Sequence, residues 1–114
     1  MENDLRERTM DFALRVVTMF CALPRSDEAQ TLGKQVLRSG TSVGANYREA
    51  YRARSKAEFI AKIGDTLKEL EETSYWLELL VRSQIISESK LSALRSEASE
   101  LTAIFTTIHK NAKE

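Results

Sequence analysis

Between Leu5 and Ile108, apolar residues recur at alternating gaps of three and four, and the only proline, Pro24, stands between two such runs. That spacing repeats the period of an α-helix and is incompatible with the two-residue alternation of a strand. The first stripe is Leu5, Thr9, Phe12, Val16, Met19 and Leu23. Past the proline it resumes as Leu32, Val36, Ser39, Val43, Asn46, Ala50 and Ala53, then Ile60, Ile63, Leu67, Leu70, Ser74, Leu77 and Val81. The last is Leu91, Leu94, Ala98, Leu101, Phe105 and Ile108.

Capping chemistry marks the breaks. Asp4 with Glu7 is box-like. Ser26 and Asp27, with Gln30 three residues after Asp27, can open a second helix. Ser55-Lys56-Ala57-Glu58 is a full capping box, and Ser87 can cap a fourth helix. The spacing predicts helices over 4–22, 27–53, 56–83 and 88–110. Short links place neighbouring helices antiparallel, so the expectation is an all-α, up-down-up-down four-helix bundle formed by one domain over residues 1–114. With 114 residues, 42% hydrophobic and 30% charged, the chain can bury one sizeable core without a staple.

The second helix departs from the pattern. Ser39-Gly40-Thr41-Ser42-Val43-Gly44-Ala45 places seven small residues mid-helix, where each glycine costs about 1 kcal/mol against alanine. Gly33, Gly40, Gly44, Tyr47 and Tyr51 share one side, which points first to a close helix–helix contact within the chain. Lys34, Arg38, Arg48 and Arg52 project from another side along about 27 Å of helix. Arg54 and Lys56 extend this ridge into the turn, and Glu49 is the one acid among these six bases. Such a ridge can follow phosphates, or it can be a solvated face that pairs with acidic neighbours. No aromatic side chain interleaves with the bases for base stacking. Ser39, Ser42, Asn46 and Glu49 form a polar layer for which Glu69, Glu72 and Thr73 are the expected partners. Trp76 lies off the third stripe and, with Tyr47 and Tyr51, is a candidate subunit contact.

Catalytic constellations are absent from the sequence. His109 is the only histidine, without ligand-spaced acids, and is expected to be solvated at a helix end. No Glu-x-x-His pair and no glycine-rich phosphate loop occurs. Cys21 is the only cysteine, which excludes an internal disulfide, fits a reducing cytoplasm and suggests a small buried hydrophobe. The acidic start Met1-Glu2-Asn3-Asp4 leads to the expectation of no secretory leader, and no apolar run reaches membrane length. The expectation is therefore a non-enzyme with no metal or other cofactor. Seventeen bases balance seventeen acids, but unevenly: residues 1–57 carry +3 and residues 58–114 carry −3. Overall neutrality excludes a strongly basic nucleic-acid binder.

The run Gln35 to Ala50, carrying Ser39-Gly-Thr-Ser42-Val-Gly-Ala-Asn46-Tyr-Arg-Glu49, resembles the second-helix signature of the 23S rRNA intervening-sequence protein family. Ser55-Lys-Ala-Glu-Phe59-Ile-Ala-Lys62 and Leu67-Lys-Glu69-Leu-Glu-Glu72-Thr73-Ser-Tyr75-Trp76-Leu77 are similar to its following blocks. The resemblance implies a left-handed antiparallel bundle that assembles as a ring-like homopentamer in the bacterial cytoplasm, without an established enzymatic activity. A related branch, the accessory proteins of diversity-generating retroelements, binds nucleic acid and is strongly basic; this neutral chain departs from it. The resulting expectation is a self-assembling scaffold with weak RNA or DNA binding through Lys34, Arg38, Arg48, Arg52, Arg54 and Lys56. The competing one is a protein–protein interaction module without a nucleic-acid role.

Overall fold

The computed structural model describes residues 2–114, with side chains from Asp4 onward. Four helices follow one another: α1 (Glu2–Cys21), α2 (Asp27–Tyr51), α3 (Lys56–Arg82) and α4 (Glu88–Lys113). A 25-residue helix is about 37 Å long, whereas a link of four or five residues spans less than about 18 Å. Consecutive helices that pack side by side must then run antiparallel. They do pack so: α2 lies against α1 and α3, and α3 against α4, while α1 and α4 meet only briefly. The bundle measures 45 × 20 × 19 Å.

The helix ends show which capping signals operate. Ser26 Oγ accepts from the Ala29 N–H at 3.3 Å, and Ser55 Oγ accepts from Glu58 N–H at 3.0 Å. The Glu58 carboxylate turns back one residue further than a capping box requires and accepts from the Arg54 N–H at 2.8 Å. Ser87 stands at the N-cap of α4 but makes no side-chain capping bond; its Oγ lies 3.3 Å from Ser89 Oγ instead. Asp4 is no cap either, because α1 already begins at Glu2. At the end of α3, Gln84 adopts φ 64°, and the Gln84 and Ile85 N–H groups reach the Val81 and Leu80 carbonyls at 3.0 and 3.1 Å. This is a Schellman closure at a position where glycine is usual.

The expected stripes form the core. Phe12, Val16, Val36, Val43, Ile63, Leu70, Leu77, Leu101 and Phe105 are fully buried, each worth about 1.5–3 kcal/mol of transfer free energy. The buried line of α3 is shifted slightly: Thr66, Thr73 and Leu80 are buried, while Leu67, Ser74 and Val81 are only half-buried. Cys21 is exposed, contrary to the expectation of a buried thiol. Met19 points inward, and Cys21, two residues further on, is turned about 200° around the helix and so faces outward. None of the four helices is long and apolar enough to cross a membrane.

Candidate functional site

The small residues of α2 admit α1. A Cβ at Gly40 would lie 2.8 Å from Val16 Cγ2, and one at Gly33 would lie 2.5 Å from Leu23 Cδ1. At Gly44 it would meet Thr9 Oγ1 at 3.1 Å. The glycine side is thus a contact within the chain. Tyr47, on that side, is buried, with its ring 5.2 Å from that of Phe105. It therefore offers no surface to a partner, which corrects its assignment as a subunit contact. Tyr51 remains 44% exposed, and the Arg6 guanidinium sits 5.1 Å from its ring centre.

The basic ridge is divided. Arg38 folds down onto α3, its Nη2 2.5 Å from Glu72 Oε1 and its Nη1 3.3 Å from Glu69 Oε1. This removes Arg38 from the set of free cations. Lys34, Arg48, Arg52 and Arg54 form no salt bridge among the described residues; Arg48 is half-buried and the other three are exposed. Lys56 Nζ reaches the Glu114 backbone oxygen at 3.4 Å. The geometry brings Lys34, Arg48 and Arg52 to one outer edge of α2, with Arg54 and Lys56 at its end.

The polar layer also separates into parts. At its centre, the buried hydroxyls of Ser39 and Thr73 lie 2.8 Å apart, and Thr73 Oγ1 donates to the Glu69 carbonyl at 2.7 Å. Ser42 bonds within its own helix, donating to the Arg38 carbonyl at 2.7 Å. Asn46 is half-buried, and the carboxylates expected to serve it, Glu69 and Glu72, are held by Arg38. Glu49 pairs with Lys62 at 2.6 Å, and this hydrogen bond holds its carboxyl below the usual range.

Three surface features were not anticipated. Met10, Leu14 and Val17 stand 41%, 57% and 40% exposed on the back of α1, in line with exposed Cys21. Their spacing of four, three and four is itself a helical stripe, readable in the sequence as a second line opposite the first. On the other side of the bundle, α3 and α4 enclose an open groove of about 760 Å3 bordered by Ser74, Ser92, Ser96 and Ser99. Tyr75, 58% exposed, stands at its edge with its ring against Trp76. Trp76 is half-buried against the core, and its Nε1 is buried with no hydrogen-bond partner among the described residues. Third, His109 is half-buried rather than solvated, with Nε2 facing Gly64 of α3. No group of three His, Cys, Asp or Glu side chains among the described residues is placed to hold a metal ion.

The family model for the 23S rRNA-intervening sequence protein matches residues 1–107. A crystal structure of a protein of unknown function from the S23 ribosomal protein family, from Bacteroides thetaiotaomicron VPI-5482, superposes with a TM-score of 0.89 at 38% identity. The match covers 96% of this chain and 97% of that one. No curated protein matches.

Proposed function

We propose that this chain, which belongs to the 23S rRNA-intervening sequence protein family, is a non-enzymatic helical scaffold that assembles with copies of itself. The carrying observation is the apolar line of Met10, Leu14 and Val17, which a lone bundle leaves in water. Contiguous exposed apolar surface of this kind marks an interaction site. Such a scaffold needs no cofactor, and the family resemblance suggests five copies in the bacterial cytoplasm. Light scattering after size exclusion at micromolar concentration should give a mass near five subunits. A monomer there overturns the reading.

The free bases of α2 favour a second role, weak contact with RNA or DNA. Lys34, Arg48 and Arg52 form no salt bridge among the described residues, although the Arg52 charge acts on Glu49 from beyond that range, while Arg38 is already paired with Glu69 and Glu72. Three phosphate contacts to a single strand imply a log–log salt slope of about −2, so affinity should fall about fourfold between 50 and 100 mM salt. The Arg48→Glu/Arg52→Glu pair should abolish that retention. RNA retention that ignores salt would reject the ridge.

A further inference from the structure

Where α1 begins and α2 and α4 end, the helices part over a groove of about 570 Å3. Its walls are apolar or aromatic: Leu5 of α1, Tyr47 and Tyr51 of α2, Phe59 of α3, and Ile104 and Ile108 of α4. The two charged residues on its border are already engaged, Arg8 by Glu97 and Glu100 and Asp4 in a contact of its own. The volume falls within the roughly 300–1,000 Å3 of small-ligand sites, which combine apolar walls with a few placed polar groups. Here those groups are cations beside the groove. Arg48 stands one turn before Tyr51 on the same surface of α2, and Arg52 follows Tyr51; neither forms a salt bridge among the described residues. On a helical wheel Tyr51 belongs to the glycine side and not to the ridge. In the fold it is 44% exposed, with the Arg6 guanidinium 5.1 Å from its ring centre. We infer that this groove takes the base of an unpaired nucleotide, stacked on Tyr51, while phosphates of the same strand lie along Arg52, Arg48 and Lys34.

This inference rests on the nucleic-acid role proposed above and names its substrate class, a single strand and not a duplex. Three observations favour that occupant. First, the unpaired cations are strung along the helix: Lys34 and Arg48 are separated by about 21 Å of α2. Such a row suits a polyanion, whereas the one carboxylate of an acyl chain would need only one cation. Second, Tyr51 adds an exposed aromatic ring beside the row, and every base has a π-face that can stack on it. A duplex keeps its bases stacked inside, so only an unpaired base can enter a recess of this kind. Third, the acids of this corner are turned to other tasks. Glu49 is held by Lys62, and Glu58 accepts from the Arg54 N–H. Glu7 is exposed, but it is turned about 100° from Arg6, in the direction away from Thr9 and α2.

Fluorescence anisotropy at low salt tests this with a labelled oligouridine and with the same strand in a duplex. The single strand should bind about tenfold more tightly than the duplex. Tyr51→Ala should cost about tenfold in single-strand affinity and leave duplex affinity as it was. The salt slope should also stay the same, because no phosphate contact is lost. Tyr51→Phe should bind like wild type, and a thermal melt checks that both variants stay folded. Crosslinking through 5-iodouridine should place the base on Tyr51 or Phe59, a readout that a purely structural role for Tyr51 would not give. Equal affinity for strand and duplex, single-strand binding that survives Tyr51→Ala, or crosslinks confined to other residues would each overturn the groove assignment. The phosphate contact of α2 would then still stand. Palmitate that displaces an apolar dye from the groove, where oligouridine does not, would make the occupant an acyl chain and overturn it too. A wild type that holds neither strand overturns the groove and the nucleic-acid role together.

Discussion

Along α2, α1 lies so close that Val16 leaves no room for a methyl group at Gly40; along α4, the same helix stands off. There Arg8 bridges the gap, its Nε and Nη2 2.7 and 2.9 Å from the Glu97 carboxylate and Nη2 2.8 Å from Glu100. On either side of that bridge the seam opens. One end holds a groove of about 570 Å3 bordered by Leu5, Tyr51, Phe59 and Ile108, and the other a smaller one of about 280 Å3 near Met19 and Leu94. Two seams on one helix thus use different physics. The first is held by shape at van der Waals distance, where a small volume change is felt at once. The second is held by a charge cluster that tolerates displacement but answers to pH.

The strongest way to break the contrast is to fill the close seam. Gly40→Val adds a branched side chain where a Cβ alone already falls 2.8 Å from Val16 Cγ2. Val16 is itself β-branched and stiff at χ1, so it cannot turn away cheaply. Overpacking of this kind costs about 3 kcal/mol, and forcing α1 outward adds to it. The denaturant midpoint should fall sharply; an unchanged midpoint would show that the helices are not in close contact.

The open seam should respond less. Arg8→Ala leaves the Glu97 carboxylate, whose side chain is 15% exposed, without its main partner. Arg8 is itself 35% exposed, so solvent screens part of the interaction and a loss of about 1 kcal/mol at pH 7 is expected. The pH dependence identifies the cause. Hydrogen bonding from Arg8 holds the Glu97 pKa below its ordinary value, against the opposing effect of burial. A depressed carboxyl pKa stabilises the fold above the unfolded value of about 4.3, and that stability is lost as pH falls through the lower folded value. The gap between wild type and Arg8→Ala should therefore close below about pH 4. A gap that stays constant would assign the effect to lost packing by the Arg8 stem.

The contrast also divides what was legible in the sequence. The core stripes and the four helices could be read, because a three-four period is a local property, and so could the starts capped by Ser26 and Ser55; the expected cap at Asp4 and the ends at 53 and 110 shift to Glu2, Tyr51 and Lys113. The close seam could be read too, since glycines inside a helix must be compensated by contact. The open seam and the division of the ridge could not. Arg38 differs from Arg48 and Arg52 only in that Glu69 and Glu72 of α3 stand opposite it, a fact of helix register. Tyr47 looked equivalent to Tyr51 on a helical wheel, but Phe105 of α4 takes its ring into the core. The line Met10-Leu14-Val17 has helical spacing too, but spacing alone does not rank it against Phe12, Val16 and Met19, because which stripe is buried is set by the packing of α2 and α4 on α1.

The smallest predicted effect has the opposite sign and sharpens the comparison. Gly64 is also an interior glycine, but it lies on α3 where that helix faces α4. An added Cβ there would meet only His109 Nε2, at 3.6 Å, an ordinary van der Waals distance. Gly64→Ala therefore keeps the packing and removes the backbone freedom that glycine gives the unfolded chain. It should stabilise the fold by about 0.5–1 kcal/mol, seen as a higher denaturant midpoint with an unchanged slope. Two glycine substitutions of opposite sign in one bundle would then separate a glycine required by close approach from one that is not. A loss at Gly64→Ala would mean that α3 and α4 are drawn as close there as α1 and α2 are at Gly40.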